Sequence, residues 1–133
     1  MIIETSALVE MFSGGQRSED LAAKILNAKA PKVGAVTVLE TAAILRRQKG
    51  RGAVDRFLEF LVVQKISIVP FDGDQLLSSL LGDAAYGDGS ENGEASGTNL
   101  RLAELTTYGL SKHLDEPLLH CNVNMRRTDL DDA

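Results

Sequence analysis

The chain has 133 residues, 44% of them apolar and 25% charged, with a net charge of -5. That length and balance predict one domain, residues 1–133, with a real hydrophobic core, and they exclude wholesale disorder and fibrous repeats. No stretch approaches the ~18 uninterrupted apolar residues of a membrane span; the longest, Phe57 to Phe71, is broken by Glu59, Gln64, Lys65 and Pro70.

Met1 to Glu4 reads as a short apolar strand ending on a carboxylate, without the basic start of a secretory signal. Thr5 and Ser6 then offer hydroxyls to open a helix through Ala7, Leu8, Val9 and Met11, stopped at Ser13-Gly14-Gly15. A second helix is expected from Ser18, with Glu19 and Asp20 in its first turn and Leu21, Ala22, Ile25 and Leu26 at helical spacing. Pro31 to Ala35 is a short strand or extended link. Val38 to Leu45 outlines a third helix, carrying Glu40 and ending at Gly50. Ala53 to Val63 repeats apolar residues at helical intervals, and Ile66 to Pro70 reads as a strand closed by proline.

Asp72 or Asp74 caps a helix that runs through Leu81, with Gly82 as its expected stop. Gly87 to Gly97 is a polar loop too rich in glycine for regular structure. Leu100 to Leu114 is a clear helix and Pro117 to Cys121 a short buried strand. The tail from Asn122 is polar, and little chain follows Leu130 to make a further edge strand. Strands separated by helices predict an α/β fold, a mostly parallel sheet with helices on both faces. The single cysteine, Cys121, allows no internal disulfide, so a cytoplasmic location is expected.

Ligands of open parallel sheets bind beyond the carboxyl ends of the strands. That rule picks out Glu4 after the first strand and Asn122 to Asn124 after the last, with helix starts near Ser6, Val36 and Leu100 as rims. Charge is uneven. Arg17 to Lys65 holds ten basic and five acidic residues, whereas Ile66 to Ala133 holds four basic and twelve acidic. Within the basic part, Arg46, Arg47, Lys49 and Arg51 suit the macrodipole at a helix end, and equally suit RNA phosphates or an acidic partner segment. His113, His120 and Cys121 lack zinc spacing, and neither a Gly-x-Ser-x-Gly elbow nor a phosphate loop is present.

Four segments together resemble the PIN-domain family, in particular its VapC-type toxins. They are Met1-Ile2-Ile3-Glu4-Thr5-Ser6-Ala7-Leu8-Val9, Thr37-Val38-Leu39-Glu40-Thr41-Ala42, Thr98-Asn99-Leu100 through Lys112 with Glu116-Pro117-Leu118-Leu119, and Arg127-Thr128-Asp129-Leu130. The resemblance runs nearly end to end. It implies a three-layer α/β/α domain and a metal-dependent endoribonuclease, the toxin of a toxin-antitoxin pair. It also implies a homodimer and a small antitoxin protein as partner.

By the same resemblance, Glu4, Glu40 and Glu104 are the catalytic and metal-holding residues, with Asn124 as a further metal ligand and Ser6 in support. They would hold Mg²⁺ (or Mn²⁺), hard ions that prefer carboxylate oxygens, and a metal-activated water would hydrolyse RNA phosphodiesters. The chain departs from the family pattern where Asp is usual at Glu4 and Glu104, and where an acid is usual within Asn122-Val123-Asn124. The alternative reading is therefore a noncatalytic PIN-like module that retains dimer and antitoxin binding. Asn122 and Asn124 read without the resemblance are turn residues, and Glu40 and Glu104 are solvated helix positions.

Overall fold

The computed structural model describes residues 1–90 and 97–133. Four short strands, β1 (Ile2–Ile3), β2 (Lys32–Gly34), β3 (Ser67–Val69) and β4 (Leu118–Leu119), form one parallel sheet in the order β3-β2-β1-β4. Between and after them lie α1 (Thr5–Phe12), α2 (Ser18–Asn27), α3 (Ala35–Lys49), α4 (Arg51–Val63), α5 (Gly73–Tyr86), α6 (Leu102–Leu114) and α7 (Val123–Arg126).

Side chains alternate across the pleat, so adjacent strand residues feed different layers. Ile3, Val33 and Leu119 join Leu8, Leu21, Ile25, Leu45, Phe57 and Leu61 on one face. Ile2 and Leu118 join Leu105, Tyr108, Leu110 and Met125 on the other. Helices α1 to α4 therefore cover one face and α6 the other, with α5 packed against α6. This is the three-layer α/β/α arrangement expected from the sequence. Among the described residues no helix is long and apolar enough to cross a membrane.

Several boundaries differ from expectation for identifiable reasons. The cap of α1 is Glu4, whose carboxylate accepts from the Ser6 backbone N–H, rather than a Thr5 or Ser6 hydroxyl. Asp72 caps α5 by accepting from Gln75 N–H at 2.9 Å. That helix does not stop at Gly82; it continues to Tyr86, because Gly82 is a packing glycine. A Cβ there would lie 2.5 Å from the Tyr108 ring, and one at Gly109 would lie 2.0 Å from Ser79 Oγ. The two glycines let α5 and α6 approach closely. Gly50, at φ +86°, does end α3.

After β4 the chain is not merely a polar tail. Asn122 Oδ1 accepts from Asn124 N–H at 2.9 Å and caps α7, which buries Met125 in the core. The last residues then lie beside β4 as a single parallel bridge, Leu118 with Asp132, closed by Leu118 N–H to Asp131 O (2.8 Å) and Ala133 N–H to Leu118 O (2.9 Å). Part of the glycine-rich loop expected at 87–97 lies outside the described residues.

Candidate active site

The carboxyl ends of β1 and β4, the starts of α1 and α6, and one side of α3 enclose a cleft of about 330 Å³. Glu4, Thr5, Ser6, Val9, Glu40, Ile44, Gln48, Arg101, Glu104 and Asn122 line it. Three glutamates that are far apart in sequence thus meet in one place. Glu4 is the most constrained, at 2% exposure. Its Oε2 accepts from both the backbone N–H (2.8 Å) and the hydroxyl of Ser6, and that hydroxyl in turn accepts from Cys121 N–H at 2.8 Å. Ser6 therefore ties the end of β1 to the segment that follows β4.

Glu104 is the third residue of α6. The hydrogen bonds that reach its carboxylate come from the backbone N–H of Arg101, the helix cap, and from the side chain of Asn122. Its Oε2 is buried and has no hydrogen-bond partner among the described residues. Burial pushes the pKa of both Glu4 and Glu104 upward against these hydrogen bonds; mutual repulsion adds to the rise at Glu4, and repulsion from Glu40 adds to it at Glu104. Glu40 is half-buried on α3.

Asn122 has both ends of its amide engaged. The oxygen caps α7, so the NH₂ group faces Glu104 as a donor. Asn124 lies within α7 and is not among the residues that line the cleft. Arg46, Arg47 and Lys49 are exposed in the last turn of α3 and Arg51 opens α4; the cleft instead takes Ile44 and Gln48 from α3. Asp129, in the tail, is held by Tyr108 and Lys112 and also lies off the cleft.

Sequence reasoning did not single out Arg101 or the coupling of His120 to this site. Arg101 was detectable, because it stands three residues before Glu104, the spacing of a cap and the acidic residue that reaches back to it. His120 Nδ1 accepts from Asn122 N–H (3.1 Å), which leaves Nε2–H to donate to Asp132 at 2.8 Å. The imidazole thus links the tail to the turn that carries Asn122.

A hard divalent cation suits this donor set. Two neighbouring carboxylates, one with an orphaned buried oxygen, offer what a Mg²⁺-sized ion takes from protein when it keeps several waters. Among the described residues, no group of three or more His, Cys, Asp or Glu side chains is gathered tightly enough to form an all-protein cage.

A parallel α/β/α layer structure with carboxylates gathered at the carboxyl ends of its strands defines the class. The sequence profile described as PIN domain matches residues 1–130, and the chain belongs to that family. It is 25% identical over 130 residues to "Ribonuclease VapC" of Mycolicibacterium smegmatis, covering 98% of this chain and 97% of that one. It is 27% identical over 131 residues to "Ribonuclease VapC42" of Mycobacterium tuberculosis, covering 98% and 96%. The fold is similar to the crystal structure of Mycobacterium tuberculosis VapC20, described as a Sarcin-Ricin loop cleaving toxin (TM-score 0.76, 12% identity, 99% of this chain and 97% of that one). It is also similar to VapBC2 from Rickettsia felis, solved bound to a DNA fragment from their promoter (TM-score 0.72, 11% identity, 99% and 96%).

Proposed function

We propose that this chain is a single-domain, cation-dependent endoribonuclease, the toxin of a VapC-type toxin-antitoxin pair. The observation that carries the reading is the pairing of buried Glu4 with Glu104, neither held in an ion pair among the described residues, in a family whose relatives here are named ribonucleases. Glu4 and Glu104 would hold Mg²⁺ or Mn²⁺ with Glu40 at the rim. A cation bound there would lower the pKa of a water and offset charge that develops on the phosphate.

The protein's own groups do the rest. Ser6 would keep Glu4 in one orientation and the Arg101 N–H at the α6 cap would keep Glu104 in one orientation, so that both carboxylates stay fixed in the cleft. Incubation with RNA in Mg²⁺ or Mn²⁺ tests this: wild type cuts, and Glu40→Gln loses on the order of a hundredfold in rate. Folded wild type that cuts no RNA in either cation would overturn the catalytic reading.

One observation favours the noncatalytic alternative, in which the fold and its partners persist without hydrolysis. Asn122 aims a neutral donor at Glu104 where the family pattern carries an acid nearby. Under that alternative, Asn122→Asp restores cleavage to an inactive wild type, whereas Asn124→Asp, off the cleft, does not. A reducing cytoplasm suits the free Cys121. RNA, a small antitoxin and a second copy of the chain are the partners of this reading. Leu77, Leu80 and Leu81 form an exposed apolar row on α5 that assembly with a second copy would cover, and the mass in solution tests it.

A further inference from the structure

We infer that Arg101 is the residue that grips a phosphate of the RNA strand in the cleft, a role that rests on the ribonuclease reading above. A phosphodiester approaching Glu4, Glu40 and Glu104 meets three carboxylates, so something besides a bound cation must offset the repulsion. Among the described residues, Arg101 is the one basic residue that lines the cleft. The basic cluster of Arg46, Arg47, Lys49 and Arg51, which the sequence offers first, does not line it.

Arg101 attracts Glu104 through space, yet none of the ion pairs among the described residues uses it. A long cation beside three glutamates that closes on none of them is available for a ligand anion. Its exposure lets it reach outward, while its backbone is fixed as the cap of α6 by the hydrogen bond to Glu104. One contact therefore couples the acid's position to that of the phosphate-binding group. A guanidinium presents paired N–H donors that match two oxygens of one phosphate, which an ammonium cannot reproduce. Arginine at this place thus contributes orientation as well as charge.

The test is binding rather than turnover. A short fluorescein-labelled single-stranded RNA of random sequence is titrated by fluorescence anisotropy over a range of salt, with Ca²⁺ in place of Mg²⁺ to hold hydrolysis back. Arg101→Gln is expected to weaken binding about tenfold and to reduce the slope of log affinity against log salt by about 0.7, one phosphate contact on a single strand. Arg101→Lys keeps the salt slope but recovers only part of the affinity. Arg56→Gln, an equal change in net charge on the exposed side of α4, binds like wild type. Thermal melts that match wild type show that Arg101→Gln is folded. Equal affinity and slope for wild type and Arg101→Gln overturns the assignment and leaves the ribonuclease reading standing. Wild type that neither binds nor cuts RNA overturns both.

Discussion

At the amino-terminal ends of the strands, Glu116 sits between the Met1 amino group and Lys32 Nζ, the latter at 2.6 Å. At the carboxyl-terminal ends, Glu4 and Glu104 sit with each other and with Glu40 around the cleft. Burial pushes Glu116 upward too, but hydrogen bonds from Lys32 and the amino group outweigh it and hold the carboxyl below its usual value. Among the described residues no such cation is bonded to Glu4 or Glu104, and burial raises their pKa values. The larger groove, about 650 Å³ among Met1, Lys24, Lys32, Glu116 and Ala133, lies at the amino-terminal end, where this acid is already neutralised. Size is therefore a poor guide to the chemistry here. An acid bound to a lysine holds the fold together, whereas one left without a cation lowers stability and is ready for an ion or a proton.

The largest effects come from removing charge at the unpaired end. Glu4→Gln should lower RNA cleavage on the order of a hundredfold or more while raising the melting temperature of the cation-free protein at neutral pH by roughly 2–4 °C. The sign follows from linkage: a carboxyl whose folded pKa is raised binds its proton more tightly in the folded state. Stability is then lost as pH rises from the unfolded value toward the folded one. Glu104→Gln should act in the same direction. Mg²⁺ should stabilise wild type and not Glu4→Gln. A destabilised, still active Glu4→Gln protein would break the contrast between the two ends.

A smaller effect comes from the scaffold that brings Glu104 to the cleft. Gly109→Ala would set a Cβ 2.0 Å from Ser79 Oγ and 2.6 Å from the Gln75 carbonyl oxygen, backbone that cannot swing aside. The expected destabilisation in urea is about 1–3 kcal/mol. Cleavage should fall as well, because α6 carries Glu104. Substitution of the same helix at exposed Lys112 should leave cleavage unchanged.

These cases also separate what was legible in the sequence from what was not. An apolar strand ending on Glu4 pointed to the cleft because burying a lone carboxylate is costly, and Ile2 and Ile3 do join cores on two faces of the sheet. Gly82 misled because glycine as a stop and glycine as a packing surface are identical letters; only the Tyr108 ring decides between them. A count along the chain preferred Asn124 to Asn122 as a further ligand; it cannot see that Asn122 caps a short helix, turns its NH₂ to Glu104 and lines the cleft, whereas Asn124 does not line it. The cluster from Arg46 to Arg51 attracted notice by its density. Arg101 shows in the sequence only as a cap three residues before Glu104; that it lines the cleft follows from the three-dimensional convergence of α6 with β1.

The smallest effect sharpens the comparison most, because it reverses the sign at a third carboxylate. Burial pushes Asp129 upward, but Lys112 at 2.8 Å and Tyr108 at 2.9 Å outweigh it and hold the carboxyl below its ordinary value. Such a group adds stability above the unfolded aspartate pKa and loses it as pH falls through the folded one. Asp129 and Lys112 are 51% and 40% exposed, so solvent screens the pair and Asp129→Asn should cost only about 0.5 kcal/mol at neutral pH. Glu104→Gln should stabilise at the same pH. In acid, below the ordinary carboxylate range, both differences should vanish, because each wild-type acid is then protonated and resembles its amide. Urea melts of the two variants at neutral and acid pH read this directly. Differences of the same sign at neutral pH would mean that pairing does not set the electrical character of these acids.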